Sequence, residues 1–124
     1  EEPFTVADIP GLIEGAHQGK GLGDEFLRHI ERTRVLVLVL DMAGSEGRDP
    51  YEDYNVLKKE LEGYQKTLLK KARLIAANKM DLPGAGENLA KLKRRIREEI
   101  YPISAKEKTG LEELIQAMAE KLKM

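Results

Sequence analysis

Short apolar runs alternate along the chain with segments whose apolar residues recur every three or four positions, and the alternation repeats four times. Such alternation marks a mostly parallel sheet flanked by helices, an α/β architecture. Phe4-Thr5-Val6-Ala7 is the first expected strand. Asp24 opens a short helix in which Phe26, Leu27 and Ile30 share a face. Val35-Leu36-Val37-Leu38-Val39-Leu40 is apolar at every position, as in a strand buried on both faces. Asp49-Pro50-Tyr51-Glu52-Asp53 joins an N-cap residue, a proline at the first helical position and acids in the first turn, so a helix starts there. Tyr54, Leu57, Leu61, Tyr64 and Leu68 give that helix its buried stripe, with the tyrosines as core packing. Leu74-Ile75-Ala76-Ala77 is the next strand. Leu89, Leu92 and Ile96 mark a further helix, and Ile100-Tyr101-Pro102-Ile103-Ser104 a last strand. Thr109 with Glu112 forms a capping box for a terminal helix whose Leu111, Leu114, Ile115, Met118 and Leu122 face inward.

Length and composition narrow the picture. At 124 residues the chain holds one domain with a core. It has no cysteine, which excludes disulfides and thiolate metal sites, leaves oxygen ligands for any metal, and fits a cytoplasmic protein. Twenty-one basic against 22 acidic residues leave a net charge of −1, so nothing in the overall charge argues for nucleic acid or membrane. The longest apolar run is far below the roughly 20 residues that span a bilayer, and Glu1-Glu2-Pro3 has no signal-peptide pattern. A soluble protein with no membrane partner is expected. A strand so close to Glu1 suggests a chain cut from something longer. Lys91-Leu92-Lys93-Arg94-Arg95-Ile96-Arg97 is the one dense basic run, and a helix with Leu92 and Ile96 inward must place those charges in water. No site is assigned to it.

In open α/β sheets ligands sit outside the carboxyl ends of the strands. Three of these ends carry polar groups: Asp8-Ile9-Pro10-Gly11, Asn78-Lys79-Met80-Asp81 and Ser104-Ala105-Lys106. An ionised aspartate only accepts, and it can take two parallel hydrogen bonds from adjacent donors. Guanine offers such a pair in N1–H and its 2-amino group. Adenine sets an acceptor beside a donor, so Asp81 would repel it. Asn78 could brace the loop or meet the base edge, and the aliphatic stem of Lys79 can lie along an aromatic base.

Asp-x-x-Gly, Asn-Lys-x-Asp and Ser-Ala-Lys, in this order and at strand ends, resemble the later nucleotide-binding motifs of the Ras-like GTPases. The stretches Ala7-Asp8-Ile9-Pro10-Gly11-Leu12-Ile13-Glu14-Gly15-Ala16-His17 and Gly21-Leu22-Gly23-Asp24-Glu25-Phe26-Leu27-Arg28-His29-Ile30-Glu31-Arg32-Thr33 resemble the bacterial Obg family. Asp41-Met42-Ala43-Gly44 and Gly47-Arg48-Asp49-Pro50-Tyr51 extend the likeness over essentially the whole chain. The resemblance implies GTP or GDP as ligand with Mg²⁺. Asp8 would hold the metal through a water, as suits an ion that keeps its hydration shell. The Gly11 N–H would sense the γ-phosphate, and the glycine-rich stretch from Gly15 to Gly23 would order or relax as a switch. Ala105 would offer its N–H to the guanine 6-oxo group, with Ser104 and Lys106 shaping that loop. Leu12 stands where many such GTPases carry a water-orienting glutamine and cannot replace it. His17 and Glu14 lie nearby as surface-loop residues, so no catalytic residue is assigned.

No Gly-x-x-x-x-Gly-Lys-Ser/Thr occurs in the sequence. The phosphate loop and first switch of the resembled fold are missing from it, and hydrolysis by this chain alone is not expected. The fold implied is a partial Ras-like P-loop GTPase domain over residues 1–124, from the Asp-x-x-Gly strand to the C-terminal helix, without its central first strand. With that gap the Phe4 strand would shift to pair with Val35 to Leu40, the gap would fill by strand exchange in an oligomer, or the Phe4 strand would stay loosely attached. Two function classes follow. One is a GTP-binding and GTP-hydrolysing switch with the role in large ribosomal subunit assembly and stress response that the Obg resemblance implies. The other is a nucleotide-independent interaction module or inert structural fragment.

Overall fold

Alternating side chains on a parallel sheet create two faces, and here each face is covered by helices. The computed structural model describes residues 33–44, 47, 49–64, 67 and 70–123. The expected strand at Phe4, the helix opened by Asp24, the site positions Asp8 and Gly11, the glycine-rich stretch and Leu68 lie outside the described residues, as does the side chain of Tyr64. The elements run β1 (Val35–Asp41), α1 (Pro50–Tyr64), β2 (Ala72–Asn78), α2 (Ala85–Arg95), β3 (Ile100–Pro102) and α3 (Leu111–Leu122). The sheet order is β1-β2-β3, all parallel, and the register sets Asp41 beside Asn78 and Ile75 beside Ile100.

β2 is the middle strand of the three among the described residues. Ile75 and Ala77 point to one face, Leu74 and Ala76 to the other, and all four are fully buried. The first pair joins Leu36, Leu38 and Leu40 of β1 against Tyr54 and Leu61 of α1 and Leu92 of α2. The second pair joins Ile103 and, from α3, Leu114 and Ala117. Each large apolar side chain so buried stabilises the fold by about 1.5–3 kcal/mol.

β1 differs from expectation. Its even positions are buried, whereas Val35 and Val37 are only partly covered and Val39 is 58% exposed. The reason is where the helices lie: α1 and α2 cover the even face, and the cluster under α3 takes in Val35 and Val37 but not Val39.

Pro50 opens α1 as the sequence suggests, with the Asp49 carbonyl accepting from Asp53 N–H at 3.0 Å. The Tyr54 hydroxyl donates to Glu98, whose other carboxylate oxygen accepts from Arg73 Nε at 2.8 Å. α1 is thereby tied to β2 and to the segment leading into β3.

Three details of the C-terminal third depart from the sequence reading. β3 ends at Pro102 instead of Ser104, because Ser104 turns to pair antiparallel with Thr109. Ser104 N–H donates to the Thr109 carbonyl at 3.0 Å and Thr109 N–H to the Ser104 carbonyl at 3.1 Å. This occupies Thr109, so the expected capping box does not form: the N-cap of α3 is Gly110, at φ 74°, with no side-chain cap. A β-carbon at Gly110 would stand 2.3 Å from the Pro102 carbonyl oxygen, so glycine suits the position on both counts. On α3 itself Leu114, Ala117 and Ala119 are buried, while Ile115 is 48% exposed and not inward. No helix among the described residues is long and apolar enough to cross a membrane.

Candidate functional site

The parallel register delivers the ends of β1, β2 and β3 to one edge of the sheet, and side chains from the three following loops bond one another there. Asp41 ends β1. Its Oδ1 accepts from the N–H of Ala43, two residues on, at 2.9 Å and its Oδ2 lies 3.1 Å from Lys79 Nζ. Met42 N–H donates to the Asn78 carbonyl at 3.0 Å, and Asn88 Nδ2, one turn into α2, donates to the Met42 carbonyl at 2.7 Å. The first loop is therefore held by β2 and α2 together.

Lys79 follows β2 with φ 67°, a left-handed conformation uncommon for a residue with a side chain. Immediately beyond that turn Met80 N–H reaches the Ile103 carbonyl at 3.1 Å, which fastens the second loop to the third. Strain of this kind costs on the order of 1–3 kcal/mol and persists where surrounding bonds enforce it.

Three bonds made by side chains complete the junction. Ser104, fully buried, donates from Oγ to Asp81 Oδ1 at 2.7 Å and accepts from Glu107 N–H at 3.0 Å. Asn78 Oδ1 accepts from Ala105 N–H at 3.0 Å. Asp81 and Ala105 are exposed, as is Lys106. Among the expected site residues, Asn78, Lys79, Asp81, Ser104 and Ala105 thus come together, Lys106 stands in the same turn, and Asp8 and Gly11 lie outside the described residues.

The bonds assign roles that spacing left open. Of the two uses foreseen for Asn78, its oxygen performs the bracing, which leaves its Nδ2 as the end able to donate elsewhere. Ser104 fixes one oxygen of the carboxylate of Asp81, an exposed residue, and makes no bond to the other. The Ala105 N–H is already engaged by Asn78, so a second acceptor reaches it only as a three-centre bond. Asp41 was not foreseen as a site residue. Its signal in the sequence was an acid directly after a fully apolar strand, at the ligand-binding edge. Among the described residues no cluster of three or more histidine or acidic side chains could hold a metal ion.

An exposed carboxylate, oriented by a buried hydroxyl and flanked by an amide donor and a lysine stem, is suited to a planar ligand presenting adjacent N–H donors. Residues 1–79 match the family model described as a 50S ribosome-binding GTPase. The chain is 60% identical over 121 residues to the GTPase Obg of Listeria innocua, a span of 96% of this chain and 28% of that protein. It is 57% identical to the GTPase Obg of Oceanobacillus iheyensis over the same shares. To the GTPase Obg of Acetivibrio thermocellus it is 55% identical over 126 residues, 99% of this chain and 30% of that protein. The chain spans less than a third of the length of these relatives.

Proposed function

The chain belongs to the 50S ribosome-binding GTPase family, within it to the Obg group, and from that premise we propose that its β2 and β3 loops hold the guanine base of GTP or GDP. The observation that carries this is the Ser104–Asp81 bond. A hydroxyl donating to one carboxylate oxygen fixes the plane of the other, and the pair of acceptor directions left faces solvent where N1–H and the 2-amino group of guanine can meet it.

Each residue has a task in this proposal. Asp81 accepts the two guanine donors. Replacing guanine by adenine removes one charge-assisted bond and opposes two lone pairs, a loss of about 2 kcal/mol or more, roughly thirtyfold in affinity. Asn78 holds the third loop through Ala105 and turns its Nδ2 towards the base edge. The Lys79 stem covers one face of the base while its ammonium is held by Asp41. Ser104 positions Asp81, and Ala105 and Lys106 border the 6-oxo side.

The parent protein, by the same proposal, is a cytoplasmic GTP-hydrolysing switch acting on the large ribosomal subunit in its assembly and in stress. Mg²⁺ bound at Asp8 would neutralise phosphate charge, and Gly11 would meet the γ-phosphate. This chain alone, lacking a Gly-x-x-x-x-Gly-Lys-Ser/Thr sequence, binds the base and does not turn over. A strand-exchanged oligomer of the chain belongs to the proposal as well, and light scattering of the purified chain reads it directly.

The test is a fluorescence titration with labelled GDP, ADP and xanthosine diphosphate. GDP binding at least tenfold tighter than ADP supports the proposal, as does a shift of preference from GDP to the xanthine nucleotide in Asp81→Asn, which exchanges the outward acceptor for a donor. Equal affinity for GDP and ADP, or no binding of either, overturns it and favours a nucleotide-independent module.

A further inference from the structure

Lys91, Lys93, Arg94, Arg95 and Arg97 are all exposed, and none forms an ion pair among the described residues. With Leu92 buried beneath the helix, the 100° step per residue sets Arg94 opposite it, Lys91 and Arg95 on one flank and Lys93 on the other. Solvation explains why these side chains face outward but not why they share a sign. A helix in water gains a few tenths of a kcal/mol from each opposite pair at i,i+4 and loses as much from each like pair, and Lys91 with Arg95 is a like pair. The helix dipole favours Lys93, Arg94 and Arg95 in the last turn, and it does not account for Lys91 or Arg97. The concentration stands out in a chain of net charge −1.

A second observation bears on what such a face would hold. The Arg95 guanidinium lies 4.9 Å from the centroid of the Tyr51 ring, and Tyr51 in turn stacks near Tyr54 at 6.4 Å. A guanidinium seated on an aromatic ring loses less freedom on binding and presents its fork of donors in a fixed plane, the geometry that pairs with phosphate oxygens.

We propose that the exposed face of α2, from Lys91 to the Arg97 that follows it, binds the phosphate backbone of duplex RNA. The choice of RNA over another polyanion rests on the large-subunit reading given above, and the placement rests on the charge and geometry of this helix alone. Binding is by backbone charge and not by sequence, since A-form RNA offers side chains phosphates and a shallow groove rather than a readable deep one. The same helix touches the nucleotide site at its other end, through Asn88, so one rigid element would carry both contacts.

The experiment is fluorescence anisotropy of the full chain with a labelled RNA hairpin across a salt series. Four neutralised phosphates predict a fall in affinity of roughly a hundredfold between about 50 and about 200 mM salt. Lys91→Glu with Arg94→Glu should weaken binding at least tenfold and flatten the salt slope. Lys59→Glu with Lys123→Glu, exposed cations on other elements with the same change in net charge, should leave it within about twofold. If the control pair loses as much as the helix pair, or if polyglutamate displaces the RNA at equal charge, the proposal fails, the second result pointing to an acidic protein partner. Should circular dichroism show the reversed variant unfolded, Lys91→Gln with Arg94→Gln decides by the same criteria. GDP titration of the same variants separates the two readings: GDP binding without RNA binding overturns this one alone, and RNA binding without GDP binding overturns the nucleotide proposal alone.

Discussion

Ser104→Ala removes one oxygen from the centre of the junction, and its consequences can be worked from the bonds that oxygen makes. Ser104 Oγ donates to the Asp81 carboxylate at 2.7 Å and accepts from Glu107 N–H at 3.0 Å. A bond to a charged partner contributes about 1.5–3 kcal/mol and one to a neutral N–H about 0.5–1.5 kcal/mol. Both partners are exposed, so water takes over part of what is lost, and the net cost settles near the lower end, about 2 kcal/mol. For a domain of this size that is a fall in Tm of about 8 °C. Glu107→Ala, which keeps the backbone N–H and alters only an exposed side chain, should shift Tm by no more than about 2 °C. Calorimetry or circular dichroism melts of the three proteins provide the first readout. The second is the ratio of affinities for GDP and inosine diphosphate, which lacks the 2-amino group. Loss of the hydroxyl frees the Asp81 carboxylate to turn, so the ratio should contract. A Tm within about 2 °C of the parent together with an unchanged ratio would refute the positioning role of Ser104.

Asp41→Ala removes one partner of Lys79, an ion pair with partly exposed members, so stability should fall by no more than about 1 kcal/mol while GDP affinity falls several-fold; an equal effect on both would assign Asp41 to the fold alone. Gly110→Ala, at φ 74° and against the Pro102 carbonyl, should cost more than about 2 kcal/mol in a denaturant titration, and a stabilised variant would contradict the close approach. Burial first, then the hydrogen bond and charge of Glu98, raise the Tyr54 phenol above its ordinary value of 10.0. The folded form therefore holds this proton more tightly than the unfolded form, and the stabilisation is fully present below about pH 10 and is lost as pH rises further. Tyr54→Phe should show a shallower loss of Tm over that alkaline range than the parent, and parallel curves would exclude the phenol as a source.

What the sequence disclosed were the features with a local cause. The apolar runs of β1 and β2 locate those strands to within a residue or two, and Asp49-Pro50 marks the start of α1 because a proline there lacks only an N–H the helix does not use. The failures have a common origin in contacts between distant residues. Thr109 looked like a cap until its backbone was claimed by Ser104, and Val39 looked buried because its six-residue run is uniformly apolar while cover is distributed by helices elsewhere in the chain. At the site, Asn78, Asp81 and Ser104 were legible as residue types at strand ends. Which oxygen of which side chain braces which loop was not, since Asn78 meets Ala105 across 27 positions and Lys79 meets Asp41 across 38.

The antiparallel pairing of Ser104 with Thr109 closes the third loop into a ring whose far side becomes α3 after a single glycine. Both amide protons of that pair are internally bonded, so neither exchanges with solvent until the ring opens. Ser104 contributes its hydroxyl to Asp81 and its backbone to Thr109, which makes the two amides a native gauge of the junction. Ligand that tightens Asp81 slows their exchange with deuterium, and anything that loosens it speeds them, in a signal read at residues 104 and 109 without a label attached near the junction.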